Sequence, residues 1–206
     1  MTVNESRESF PAVRVVMALA VESDGLFEAE GVSVLFCGVG KVNAAIALSR
    51  ELCRYTQAGL PLPLVVNFGT AGSRVHEAGA FLACHEFIQR DMDVRGLGFD
   101  VGVTPFDEAP ALLRFAPRFE SLPTGICGSG DSFALEDCGL GCAVLDMEAY
   151  ALAKVCRVAG AQFACVKYVT DGANQVAADD WRNNVHRAAA RFLALYKAIV
   201  RIAAIW

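Results

Sequence analysis

The feature that most constrains this chain is an apolar run, an alanine-rich segment and a second apolar run in close succession. Residues 142–145 are short and apolar, 149–158 carry apolar residues at helical spacing, and 163–169 are apolar again. Runs of these lengths read as two buried strands around a helix. A strand, a helix and a strand so joined predict a right-handed crossover with the two strands parallel. Each strand leads into an acid, Glu148 in Val144-Leu-Asp-Met-Glu-Ala149 and Asp171 in Val169-Thr-Asp-Gly172. Both acids would stand at the carboxyl edge of the sheet, where open α/β sheets bind ligands. Two carboxylates on one rim suit general acid–base chemistry on a small molecule. Taken singly, each reads equally well as a helix-capping or loop carboxylate.

Composition narrows the class. A length of 206 residues fits one domain, expected over 13–206 after a flexible, mostly polar lead at 1–12. Hydrophobic residues at 54% against 20% charged favour strands covered on both faces and leave apolar area for a subunit interface. The net charge of −5 argues against a nucleic-acid partner, because phosphate affinity comes mainly from Lys and Arg. No apolar run approaches a membrane span and the first twelve residues lack a secretory core, so no membrane partner is expected. The eight cysteines include no C-x-x-C pair, and no His neighbours Cys138 and Cys142. Scattered thiols of this kind suit a reducing cytoplasm, with no metal and no cofactor expected.

Along the chain, strands are predicted at 13–20, 31–37, 64–67, 79–87 and 124–127, and a helix at 42–54. Residues 89–110 read as a long loop and 180–206 as a long amphipathic helix. The expected fold is a single α/β domain with a central twisted, mostly parallel or mixed sheet flanked by helices. Gly38-Val-Gly-Lys41 is a tight structural turn or a phosphate cradle, but it lacks the spacing of either nucleotide fingerprint. Phe68-Gly-Thr-Ala-Gly72 reads as a small-residue turn, either one that lets backbone N–H groups approach a ligand or an unrelated strand-to-loop turn. Asp131 in Gly128-Ser-Gly-Asp-Ser132 is either a ligand contact or a carboxylate bonded to turn amides. Glu22 alone reads as a solvated loop acid. His76, His85 and His186 form no triad or metal spacing, and Ser129 and Ser132 sit in no nucleophile elbow.

The order of these pieces resembles the nucleoside phosphorylase superfamily, and within it the 5′-methylthioadenosine/S-adenosylhomocysteine nucleosidases. The matching segments are Ala18-Leu-Ala-Val-Glu22, Gly38-Val-Gly-Lys-Val-Asn43, Asn67-Phe-Gly-Thr-Ala-Gly72, Arg90-Asp-Met-Asp-Val94, Ser129-Gly-Asp-Ser-Phe133, Asp146-Met-Glu-Ala149 and Val169-Thr-Asp171. The resemblance implies cleavage of a purine N-ribosidic bond in a dimer or larger oligomer. Asp171 matches the general acid that protonates purine N7, Glu148 the acid that binds the ribose hydroxyls, and Glu22 the residue that helps position the attacking water. Phe133 matches the ring stacked on the base and Ala134 a backbone contact to its edge. Met147 would line the ribose, with Thr70, Ala71, Gly72 and Thr170 beside the sugar and base. Leu97, Phe99 and Pro105 lie where the family reaches into a neighbouring subunit's 5′ pocket.

Departures from the family pattern bear on the substrate. Fourteen residues separate Glu22 from Cys37, too few for the usual helix and hairpin together, and the link from Phe133 to Asp146 is short. No Arg immediately precedes Gly69, where a phosphate ligand would be sought. Together with Glu22, this favours water over phosphate as the nucleophile. The alternatives are a phosphorylase or futalosine-type hydrolase of the same fold, or a non-catalytic storage or sensing protein.

Overall fold

The computed structural model describes residues 12–132, 139–172, 181 and 184–203. The lead expected at 1–12 therefore falls almost wholly outside the described residues, as do Phe133, Ala134 and Cys138. Eight strands form one mixed sheet: β1 (Val13–Met17), β2 (Val34–Phe36), β3 (Leu64–Gly72), β4 (Phe81–Gln89), β5 (Leu112–Arg114), β6 (Thr124–Ser129), β7 (Val144–Asp146) and β8 (Phe163–Asp171). The helices are α1 (Leu26–Ala29), α2 (Lys41–Gln57), α3 (Ala149–Ala159) and α4 (Ala189–Ala203).

Alternation along the central strands explains the layering. In β8, Phe163, Cys165 and Val169 join one core while Ala164, Val166 and Tyr168 join the other. Because side chains alternate across a strand, a run apolar at every position is buried on both faces. Ala44, Leu48 and Leu52 of α2 and Leu152, Ala153 and Cys156 of α3 cover the first face. Phe27 of α1 and Phe192, Leu195 and Ile199 of α4 cover the second. There Phe68 packs at 5.1 Å from the Phe192 ring and 6.1 Å from Phe27. A Phe68→Ala change would cost about 3–5 kcal/mol through the cavity it leaves.

Two expectations need correction. Residues 68–72 are not a turn: β3 continues through them, paired with β8 as far as Gly72. The predicted parallel crossover is also wrong. β8 runs parallel to β3, whereas β7 meets β3 antiparallel at the Gly72–Leu145 pair and otherwise pairs with β6. β7 and β8 thus run in opposite directions and are not paired. Run length identifies a strand but not its neighbour. The nine-residue β8 has enough backbone to pair with both β3 and β4, while the three-residue β7 fits only beside β6 and the tip of β3. β3, β7, β6, β4 and β8 consequently close a ring. The carboxyl ends of β3 and β8 meet those of β6 and β7 there, so the two acids converge despite the misassigned direction.

Smaller differences follow the same logic. The loop expected at 89–110 runs over 90–111, since Gln89 still belongs to β4; a helical turn at Arg95–Leu97 interrupts it and β5 follows. In the C-terminal segment read as a helix over 180–206, a 3₁₀ turn (Val185–Ala188) leads into α4, and 180, 182–183 and 204–206 lie outside the described residues.

Candidate active site

A cavity of about 230 Å³ opens where the strand ends meet. Eight of the sequence-selected residues line it: Glu22, Thr70, Ala71, Gly72, Met147, Glu148, Thr170 and Asp171. Leu97, Phe99 and Pro105 do not. Leu97 is exposed, and Phe99 packs edge-on against Phe106 on the 90–111 loop.

Glu148 occupies the N-cap position of α3, yet its side chain caps nothing. The first amides of α3 are taken by other groups: Ala149 N–H donates to Asp146 Oδ2 at 2.8 Å and Tyr150 N–H to Ser129 Oγ at 2.8 Å. Helix ends leave amides that need such acceptors, and supplying them from Asp146 and Ser129 releases Glu148 to the cavity. Its Oε1 accepts the Gly40 N–H at 2.9 Å. Burial, then the Asp146 charge, pushes the Glu148 carboxyl up to about 7, against the opposing pull of Lys167 and the Gly40 amide.

Asp146 has the opposite surroundings. Burial alone would raise its carboxyl, but Lys167 Nζ at 2.8 Å, the Ser129 hydroxyl and the Ala149 amide outweigh that and hold it below the usual range. Lys167 is fully buried. Desolvation opposes its charge, yet the facing Asp146 carboxylate keeps the amine protonated well above the ordinary lysine range.

Glu22 is no solvated loop acid. It is buried after β1, and its Oε2 accepts the Ala18 and Leu19 amides at 2.9 and 3.0 Å. Its Oε1 accepts the Thr70 amide at 2.9 Å and the Thr70 hydroxyl at 3.1 Å. Gly69 makes this possible: a Cβ there would stand 3.0 Å from Lys167 Nζ and 3.4 Å from Glu22 Oε1. Asp171 ends β8 at 3% exposure, and the Thr170 hydroxyl donates to its Oδ2 at 2.8 Å.

The Gly38-Val-Gly-Lys41 turn resolves as structural. The Gly38 amide donates to the Ala18 carbonyl, the Gly40 amide to Glu148 and the Lys41 amide to Asp131 Oδ1 at 2.8 Å, and the Lys41 amine bonds Asp91. Asp131 in turn donates its amide to Asp91 Oδ2 at 2.9 Å, which fixes the rim of the cavity. Arg90 also lines the cavity, with its guanidinium donating to Ser132 and the Gly130 carbonyl.

Sequence reasoning missed Lys167 and Trp181. Lys167 was legible as the one charge inside the apolar run 163–169, a position that demands a buried partner. Trp181 lines the cavity and donates its Nε1–H to Thr70 Oγ1 at 3.0 Å; its place on a polar segment carried no signal.

Residues 24–201 match the family model of the phosphorylase superfamily. The chain belongs to that superfamily. Among curated superfamily relatives, the 5′-methylthioadenosine/S-adenosylhomocysteine nucleosidase of Marinomonas sp. is 28% identical over 169 residues, covering 71% of each chain. The Helicobacter pylori enzyme of the same name, solved with a substituted pyrrolidin-3-ol ligand, superposes with a TM-score of 0.81 at 17% identity over 94% of this chain and 99% of the other. A futalosine hydrolase mutant from Helicobacter pylori gives 0.82 at 17% identity over 93% and 99%. At that identity the structural neighbours establish the superfamily fold and nothing finer. Among the described residues no helix is long and apolar enough to cross a membrane.

Proposed function

We propose that this superfamily member is a purine nucleosidase. It would hydrolyse the N-ribosidic bond of 5′-methylthioadenosine- or S-adenosylhomocysteine-like nucleosides to free adenine and the ribose product. The observation that carries the reading is the delivery of Glu22, Glu148 and Asp171 from three separate strand ends into one buried cavity. A storage protein has no need to bury three acids around a ligand, and burial without function costs stability.

The roles follow from charge flow. As the bond to the purine breaks, positive charge builds on the ribose and negative charge on the base. Asp171 donates a proton to purine N7 and so relieves the base. Glu148 holds the ribose hydroxyls, and with Glu22 it sets negative charge beside the developing cation. Glu22 orders the water side of the cavity, while Thr70, Ala71, Gly72, Met147 and Thr170 wall the sugar and base. Phe133 and Ala134, outside the described residues, keep the base-stacking and base-edge roles that the resemblance implies. Water is the nucleophile because the cavity is dominated by carboxylates that repel a phosphate dianion. The buried cation Lys167 is committed to Asp146.

The exposed Leu97 and Phe106, and Phe99 and Pro105 beside them, complete the 5′ end of a second copy's cavity in a homodimer. An exposed apolar patch on a long loop is the usual mark of an interface. Leu97→Asp should weaken both association and substrate affinity, and a fully active monomer in sedimentation would defeat the dimer. The buried free thiols Cys37, Cys84, Cys127, Cys156 and Cys165 support a reducing, cytoplasmic setting. A base-release assay over methylthioadenosine, adenosylhomocysteine, futalosine and inosine tests the substrate class. Fastest release from the adenine thionucleosides is expected, and preference for futalosine or inosine would reassign it.

A further inference from the structure

Lys41 and Asp91 have no part in the charge flow, yet the structure ties both to residues 130–132 at the rim of the cavity. The Lys41 amine bonds Asp91 and stands 3.6 Å from Asp131 Oδ2. The Lys41 amide donates to Asp131 Oδ1 at 2.8 Å, and the Asp131 amide donates to Asp91 Oδ2 at 2.9 Å. Building on the nucleosidase reading, we infer that Lys41, Asp91 and Asp131 form a clamp that sets the distance between the base end of the cavity and Glu148. All three are positioning residues. They govern the grip on the purine without touching it.

The backbone places the clamp between the two ends. Gly40 and Lys41 are consecutive, and their amides part: Gly40 donates to Glu148 Oε1 at 2.9 Å and Lys41 to Asp131. One turn thus links the ribose acid to the segment that leads into Phe133. The approach is close, because a Cβ on Gly40, whose φ is +93°, would stand 3.2 Å from Asp131 Oδ1. The turn has its own anchors, the Gly38 amide on the Ala18 carbonyl at 3.0 Å and Asn43 Nδ2 on the Val39 carbonyl at 2.7 Å. Residues 130–132 are held from the other side as well. The Gly130 amide donates to the Asp146 carbonyl at 3.1 Å, and Arg90 donates to the Gly130 carbonyl and to Ser132 Oγ, each at 3.3 Å.

A surface ion pair contributes little by itself. Here both carboxylates also accept backbone amides, and such charge-assisted bonds are stronger than neutral ones and fix geometry. The Lys41 side chain is only 14% exposed. Burial alone would raise the Asp91 carboxyl, but the Lys41 amine and the Asp131 amide outweigh it and hold it below the usual range, so Asp91 stays charged. Without the Lys41 amine, Asp91 and Asp131 would face each other as like charges, and residues 130–132 would shift from the anchored Gly40 turn. Base and ribose would then no longer be gripped together. Such a loss is shared by the ground and transition states, so it raises KM and spares kcat.

The test uses the full-length protein, with 5′-methylthioadenosine as substrate and calorimetric titration of adenine as the probe of the base end. Lys41→Met and Asp131→Ala should each raise KM and weaken adenine binding by about tenfold, within what stacking one base contributes, with kcat little changed. Asp131→Asn keeps an oxygen for the Lys41 amide and should retain most of the affinity. Binding of free methylthioribose should not move. Asp131, with its side chain 44% exposed, tolerates substitution, so its two variants decide the matter should Lys41→Met fail to fold. Adenine binding unchanged in folded Lys41→Met, Asp131→Asn as weak as Asp131→Ala, or a fall in kcat with KM unmoved overturns the clamp and leaves the nucleosidase reading intact. An unsubstituted chain that binds adenine but releases no base removes the nucleosidase reading alone, and the adenine titrations still judge the clamp. No adenine binding by the unsubstituted chain removes both.

Discussion

The floor of the cavity and its wall treat the same chemical group in opposite ways. On the floor Asp146 is buried but met by a lysine, a hydroxyl and an amide, which hold its carboxyl below the usual range. On the wall, two residues later in the sequence, Glu148 is buried with a single amide and its carboxyl rises to about 7. The backbone turn is shared and burial is similar, so the difference lies in partners. Environments that push neighbouring acids apart are how one site separates its fixed charges from its working ones. By this criterion Asp146 and Lys167 form a fixed ion pair in the floor, while Glu148 is the acid that the proposed nucleosidase would turn to its substrate.

The largest effect should come from the wall. Asp171→Asn keeps the shape of the side chain but removes the proton donor, and turnover should drop by about 10²–10⁴-fold with the fold intact. Steady-state rates together with circular dichroism check this, and near-normal turnover would remove Asp171 from the mechanism. The floor should respond in stability instead. Lys167→Met strands Asp146 as a buried, uncompensated charge, which costs about 3–5 kcal/mol. Urea unfolding reads that loss, and a loss of under about 1 kcal/mol, the scale of a surface ion pair, would mean that the pair is not the floor of the site.

A third comparison works through pH. The Glu148 carboxyl sits near 7 in the folded chain against an ordinary value of 4.5, so between those values the folded state holds a proton that the unfolded state has lost. Stability therefore falls as pH rises through that window and levels off above it. Glu148→Gln removes the loss. It should be the more stable protein by on the order of 2 kcal/mol above pH 7, with the advantage fading toward pH 4.5. A gap that is the same at both ends of the window would place Glu148 in water rather than in the cavity.

Much of this was legible in the sequence where local pattern decides. The apolar runs located β3, β8 and α3, and their ends placed Glu148 and Asp171 in one cavity. Strand direction was not legible, because β7 and β8 carry no mark of which neighbour each will pair with, and ring closure through β4 depends on the whole sheet. The small residues 68–72 suggested a turn by composition, yet β8 supplies them a full set of pairing partners and keeps them extended. Glu22 gave no local sign of its four donors, which come from two segments far apart in sequence. Trp181 was invisible for the same reason, since its only described polar contact is with Thr70, 111 residues away.

If the three buried acids act as proposed, water and not phosphate attacks the ribose of a purine nucleoside. Product analysis with 5′-methylthioadenosine in excess inorganic phosphate tests it most directly. Adenine and the free methylthioribose should appear in equal amounts, at a rate indifferent to phosphate. Methylthioribose 1-phosphate, formed at a rate that requires phosphate, would contradict the account.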